Sequence, residues 1–262
     1  MSDRQFEGQV AVVTGAGSGI GAATARLLAD RGAVAVYLCD VNEAAVTEVA
    51  ASVVGGQAIG LDVGNSAQVA QAFTRVIAEQ GRVDIVVHAA GVDDPKSKQR
   101  IYEAAERSEP VDVLTRLEDE DWRRVMSINL DGTFFILREA VRAMKPARSG
   151  AIVTVGSSSA FDTLVGYPHY SASKAGVHAV SQAVAKEVAP FGIRVNTIAP
   201  GPVDTGMASR TPANLRAAMT QDGFRGYATA EELADNILYL ASPGAANVVG
   251  AVLLSNGGRF TV

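Results

Sequence analysis

Among its 262 residues the chain has one cysteine, one tryptophan and little charge of one sign, and each shortage excludes something. Cys39 alone cannot close an intrachain disulfide, which fits a reducing compartment. No stretch reaches the roughly 18 to 20 uninterrupted apolar residues that a membrane-spanning helix needs. The start, MSDRQFEGQV, has neither the basic opening nor the apolar run of a signal peptide, so a soluble, cytoplasmic protein is expected. With 23 basic and 28 acidic residues the net charge is −5, and neither sign forms a long run. Nucleic acid and membrane surfaces are therefore not expected as partners; a small molecule is. His88, His169 and His178 show no metal-ligand spacing, and no metal is expected.

What is present is a regular alternation. Hydrophobic residues make up 48% of the chain, enough for a sizeable core. Short Val, Ile and Ala runs, such as QVAVVT (9–14), VAVYLCD (34–40), AIGLDV (58–63) and DIVVHAA (84–90), are separated by segments of helical period. The series continues through a helix over 121–144, AIVTVGS (151–157), a helix over 167–188, IRVNTIA (193–199), a helix over 230–241 and AVLLS (251–255). Strands apolar on both faces and joined by helices belong to a parallel sheet covered on both sides. The expectation is an α/β, doubly wound (Rossmann) fold with a seven-stranded parallel sheet, a single domain spanning 1–262. Two segments stand outside the alternation, 92–119 and 202–226, and both follow the carboxyl ends of strands, where such sheets bind ligands.

TGAGSGIG, Thr14 to Gly21, falls between the first strand and the first helix. Glycines 15, 19 and 21 permit a tight turn, close approach of backbone to phosphate oxygens, and packing of helix on sheet. An ordinary strand-to-helix turn is the plainer reading, and the placement favours a nucleotide. Asp40 ends the second strand 19 residues after Gly21, where an acid accepts hydrogen bonds from ribose hydroxyls and repels a 2′-phosphate. No Arg or Lys stands at Ser18, Val41 or Asn42, so NAD(H) is expected over NADP(H). Asp62, ending the third strand, is a candidate for the adenine or a simple turn residue.

YSASK sets Tyr170 and Lys174 one helical turn apart on one face. A nearby ammonium lowers the pKa of a phenol from about 10 toward a useful acid/base range. A surface Tyr stacked on a Lys stem is the equal alternative on this pentapeptide alone.

Together these features resemble the short-chain dehydrogenase/reductase family over essentially the whole chain. TGAGSGIG is similar to its glycine motif, and Tyr170 with Lys174 to its Tyr-x-x-x-Lys. Ser157, 13 residues before Tyr170, stands where that family has a serine; Asn129 in SINLDGTF matches its asparagine; Pro200, Gly201 and Thr205 match its Pro-Gly-x-x-x-Thr segment. The resemblance implies hydride transfer between a nicotinamide and a secondary alcohol or ketone of medium size. Tyr170 would be the general acid/base, Ser157 would polarise the substrate oxygen, Lys174 would serve Tyr170 and the nicotinamide ribose, and Asn129 would hold a water for the proton's exit. Dinucleotide contacts are expected from Gly15, Ser18, Gly19, Ile20, Asp40, Asp62, Val63, Ala90, Gly91, Tyr170, Lys174, Pro200, Gly201, Val203 and Thr205. An NADPH-dependent 3-oxoacyl-type ketoreductase and a catalytically silent dinucleotide-binding relative are the alternatives. The family's dimers and tetramers imply a homotetramer, or a homodimer.

The chain departs from that pattern in three places. HAAG (88–91) replaces Asn-Asn-Ala-Gly, with His88 read as an imidazole satisfied within the sheet; SNGG (255–258) replaces Asp-Gly-Gly and is expected away from the chemistry. The segment 92–119 is longer than usual, with a short helix expected over 98–107. It is a solvated excursion or, more sharply, a wall of the substrate site or a subunit contact. Residues 202–226 read as a substrate lid carrying Met207, Met219, Phe224, Tyr227, Arg210, Arg216 and Arg225. Phe161, Leu164 and Val165 read as an apolar wall.

Overall fold

A computed structural model describes residues 4–206 and 226–262. Seven strands form one sheet, all paired parallel: β1 (Val10–Thr14), β2 (Ala35–Asp40), β3 (Gly56–Gly60), β4 (Ile85–His88), β5 (Gly150–Val155), β6 (Ile193–Pro200) and β7 (Val252–Ser255). Their spatial order is β3-β2-β1-β4-β5-β6-β7, as the doubly wound expectation requires. The chain reverses direction across the sheet between β1 and β4, and the crevice at their carboxyl ends is where such folds bind ligands.

Alternate residues of β1 show the two faces. Ala11 and Val13 pack with Leu28 of α1 (Gly19–Asp30), Val46 of α2 (Glu43–Ala51) and Ile237 of α8 (Ala230–Ala241). Val10 and Val12 pack with Phe73 of α3 (Ser66–Gln80), Ile136 of α6 (Gly132–Met144) and Val188 of α7 (Pro168–Val188). Burial on both faces is why these strands read as unbroken apolar runs. The third strand lies two to three residues earlier than AIGLDV suggests. β3 pairs with β2 from Gly56, opposite Val36, to Gly60, opposite Asp40, and Leu61 to Val63 already lead out of the sheet.

Two helices differ from expectation. The helix over 121–144 is α5 (Asp119–Met126) and α6 joined by one π-helical turn, Ser127–Asp131. The helix in the long segment, α4 (Pro95–Arg107), starts three residues early, because Asp94 caps it and Pro95 suits a first-turn position.

Candidate active site

The glycine turn at the end of β1 is shaped by what it excludes. Gly15 has φ +66°, and a Cβ there would stand 2.7 Å from the Ala90 nitrogen; a Cβ on Gly21 would stand 2.2 Å from the Gly15 carbonyl oxygen. Gly19, at φ +52°, lies against Thr205, so the segment after β6 reaches the turn. Ser18 caps α1 in an extended conformation without a side-chain hydrogen bond to the helix, which leaves the first-turn N–H groups aimed outward. Ile20, in the same turn, packs against the core. This Cβ-free cradle and helix start fit a pyrophosphate.

Asp40 does double duty here. Its Oδ2 accepts from Gly17 N at 3.0 Å and its Oδ1 from Asn42 N at 2.9 Å, so the acid that ends β2 also pins the glycine turn. Asp62 lies exposed and turns the chain after β3, its Oδ1 accepting from Gly64 N at 2.9 Å; Val63 is buried and packs on Gly132. Gly201, after Pro200, has no room for a side chain because Asn256 stands 2.8 Å from where its Cβ would be. SNGG is therefore not remote, as the sequence suggested: it backs the segment that carries Val203 and Thr205.

Of the four residues matched to the family's site, Asn129 and Lys174 meet at Gly91, while Tyr170 lies beside Lys174 and interacts with the Ser157 side chain. A Cβ on Gly91 would stand 3.2 Å from both Asn129 Oδ1 and Lys174 Nζ. Asn129 sits in the π turn, a local widening often found at functional sites. Its Oδ1 accepts from Val92 N (2.8 Å), and its Nδ2 donates to Val92 O (3.0 Å) and Ser173 Oγ (3.0 Å). Lys174 donates to the Val155 carbonyl at 2.9 Å, and burial brings its pKa down to about 8. Ser157 ends the loop after β5, its Oγ accepting from Ser159 N (3.1 Å) and from Ser159 Oγ (2.9 Å).

The expected lowering of the Tyr170 pKa is not found. Burial holds the phenol above its ordinary value, the Ser157 side chain pulls it down, and the Asp93 carboxylate pushes it up. Lys174 Nζ lies 5.9 Å from the centre of the Tyr170 ring, with one N–H given to Val155. At that range the ammonium does not outweigh the loss of solvent.

Two histidines border the group. His88 Nδ1 lies 2.7 Å from Thr14 Oγ1, as an imidazole satisfied in the sheet would, but its Nε2 is buried without a hydrogen-bond partner. His178, one turn beyond Lys174, accepts a long hydrogen bond from Ser157 N at 3.4 Å and packs its ring on Phe161. Burial, with the Lys174 charge, keeps both neutral, at about 3 for His88 and about 4 for His178. His178 extends the 170, 174 face by another four residues, a signal readable in the sequence and missed. Among the described residues no three His, Cys, Asp or Glu side chains group as metal ligands.

The long segment is no solvated excursion at its start. Asp94, fully buried, accepts from Ser97 N (3.0 Å), Ser97 Oγ (2.6 Å) and Lys96 N (3.3 Å), with Arg124 Nη2 at 3.7 Å and His169 Nε2 at 3.5 Å. Burial pushes this carboxyl up, and those hydrogen bonds outweigh it to hold it below its ordinary value. Lys96 pairs with Asp121 at 2.8 Å. Further along, Val113 and Leu114 join Leu164, Ser171 and Ala172 around a cavity of about 550 Å³. That cavity lies on the face of α7 turned from Tyr170, so Leu164 walls a different space from the one expected. Met207, Arg210, Arg216, Met219, Phe224 and Arg225 lie outside the described residues.

Residues 15–259 match the family model described as enoyl-(acyl carrier protein) reductase. The chain is 42% identical to the cis-4-hydroxycyclohexanecarboxylate dehydrogenase of Sinomonas cyclohexanicum, with 98% of each chain covered. It is 33% identical to the 3-oxoacyl-(acyl-carrier-protein) reductase FabG of Escherichia coli, covering 98% of this chain and 99% of the relative. Among solved structures, one titled ribose-5-phosphate isomerase from Brucella melitensis superposes with a TM-score of 0.84 at 33% identity, covering 98% of this chain and 93% of that one. The chain belongs to the short-chain dehydrogenase/reductase family, whose members bind a nicotinamide dinucleotide.

Proposed function

We propose that this family member is an NAD(H)-dependent oxidoreductase that interconverts a secondary alcohol of medium size and its ketone. The observation that carries the reading is the convergence of Asn129, Ser157, Tyr170 and Lys174 at the carboxyl edge of the sheet, beside a glycine turn pinned by Asp40. Gly15, Ser18, Gly19 and Ile20 would hold the pyrophosphate. Asp40 would bind the adenosine ribose, and Asp62 and Val63 the adenine side. Ala90, Gly91, Lys174, Pro200, Gly201, Val203 and Thr205 would hold the nicotinamide end. When bound, the nicotinamide supplies or accepts the hydride.

The chain's own groups manage the proton and the oxygen. Tyr170 exchanges a proton with the substrate oxygen as general acid/base. Ser157 holds that oxygen by a hydrogen bond, its own position fixed by Ser159 and His178. Lys174, with Nζ 5.9 Å from the centre of the Tyr170 ring, would bind the nicotinamide ribose and does not by itself offset the burial that raises the phenol. Asn129 fixes the strand-end backbone at Val92, which sets the distance between Gly91 and Lys174. Segment 202–226 is proposed as the lid, and the exposed Trp122 and Phe134 of α5 and α6 suit burial in a homotetramer; a monomer by light scattering would refute the assembly. Cytoplasmic residence is part of the same proposal.

Asp40 supports the choice of cofactor in this reading. Its carboxylate, with no cation beside it at Val41 or Asn42, favours a ribose hydroxyl over a 2′-phosphate. Fluorescence titration with NADH and NADPH, beside Asp40→Ala, tests this: tight NADH and weak NADPH binding, with discrimination lost in the variant, is expected. NADPH preference in the unaltered protein would instead favour the ketoreductase reading. The relatives' names make cyclohexanols, their ring carboxylic acids and 3-oxoacyl thioesters the first substrates to assay.

A further inference from the structure

Two further serines follow Ser157, and they are placed differently. Ser158 is half-buried, whereas Ser159 is buried and turns its hydroxyl back onto Ser157. We infer that Ser159 is a positioning residue for Tyr170: by filling both lone pairs of the Ser157 hydroxyl, it leaves that hydroxyl able only to donate. This rests on the reading of Tyr170 as the general acid/base and adds the device that readies it.

A serine hydroxyl has one O–H to give and two lone pairs with which to receive. Ser157 Oγ receives from Ser159 N at 3.1 Å and from Ser159 Oγ at 2.9 Å, so both are taken. Ser159 Oγ has no other hydrogen-bond partner among the described residues, and its burial removes water as an alternative. Rotating away would leave a buried hydroxyl unpaired, so the pair stays closed. The backbone is held as well: Ser157 caps the 3-10 turn Ser158–Ala160, and its N–H meets His178 Nε2 at 3.4 Å.

The remaining O–H lies along the face of α7 that carries Tyr170. Lys174 reaches the Val155 carbonyl and His178 reaches Ser157, so residues 155–157 run beside the 170, 174, 178 face. A hydroxyl that can only donate stabilises a phenolate, which can only accept. One with a spare lone pair could instead accept from the neutral phenol and favour that form. In keeping with this, the Ser157 side chain pulls the Tyr170 pKa down, against burial and the Asp93 carboxylate. The other titratable groups around Tyr170 are Lys174, with Nζ 5.9 Å from the ring centre, and Tyr167, 6.3 Å ring to ring, with buried His169 stacked behind it. His178, beside Ser157, is neutral above about pH 4.

The Tyr170 phenolate can be read without substrate, as the ultraviolet difference absorbance of each protein against its own Tyr170→Phe partner. Ser159→Ala should move that titration upward by about one pH unit. In a Ser157→Ala background the same substitution should not move it, because Ser159 acts through Ser157. Ser159→Thr should restore the unaltered value; if its extra methyl group makes the protein melt early, the Ser157→Ala background decides. A serine with a purely structural role would change thermal stability and leave the titration where it was. No shift in Ser159→Ala, a downward shift, or an equal shift without Ser157 would each overturn the inference. Hydride transfer from NADH to cyclohexanone, assayed alongside, reports on the parent reading separately: it can fail while the Tyr170 shift is found, or stand while the shift is absent.

Discussion

Around the glycine turn, Gly15 and Gly21 leave no space for even a methyl group, and the shape is enforced by backbone against backbone. Around α4, on the other side of Gly91, the chain is positioned by side-chain charges: Asp93 with Lys98, Asp94 with Arg124 and His169, Lys96 with Asp121. The first arrangement admits almost no substitution, which suits a dinucleotide end shared across a family. The second can be rewritten residue by residue without refolding the sheet, which suits the end that reads a particular substrate. Under the proposed function, the dinucleotide end is shaped by sterics and the substrate end by electrostatics.

The steric side should give the largest response. Gly21→Ala places a Cβ 2.2 Å from the Gly15 carbonyl oxygen, and a loss of about 2–3 kcal/mol is expected with failure to bind NADH. Gly81→Ala, at φ +72° with nothing within 4 Å, is the control: strain alone, about 1 kcal/mol, with NADH binding intact. Equal NADH affinity in Gly21→Ala would break the contrast.

Acid sharpens it from both sides, since His88 lies under the glycine turn through Thr14 and His178 under Ser157. Their folded pKa values, about 3 and about 4, lie below the unfolded value of about 6.5, so the unfolded chain takes up protons first as pH falls. Stability should fall from about pH 6.5 downward by about 1.4 kcal/mol per pH unit for each histidine, levelling near pH 4 for His178 and near pH 3 for His88. Denaturant melts between pH 7 and 4 measure the slope, and His178→Asn should reduce it. An unchanged slope in that variant would mean His178 is not held neutral.

The smallest effect is expected at the start of α4. Asp94→Ala removes a helix cap worth about 1 kcal/mol, and should raise the substrate KM while leaving NADH affinity unchanged. A weaker NADH affinity would tie α4 to the dinucleotide end.

Legibility in the sequence followed the same division. The glycine turn, Asp40, and the 170, 174 face were readable because a tight turn, a strand end and a helical period each leave a local pattern. His178 left the same kind of pattern, four residues further on. Asp93, Asp94 and Lys98 did not: in DDPKSKQR they read as solvated charge, and nothing local says that two aspartates and a lysine turn inward. The direction of the Tyr170 shift was misjudged for a related reason, since residue spacing gives the nearness of Lys174 but not the burial that opposes it.

By itself, then, the sequence determined the seven-strand alternation, the doubly wound sheet, the family, and the residue types at the candidate site, because each depends on short-range periodicity and spacing. Only the tertiary structure decided that Asn129 clamps Val92, that SNGG backs Gly201, and that the Asp93 carboxylate acts on Tyr170. Those relations join residues far apart in the chain, and burial, which sets the strength and sign of every charge among them, exists only once the chain has folded.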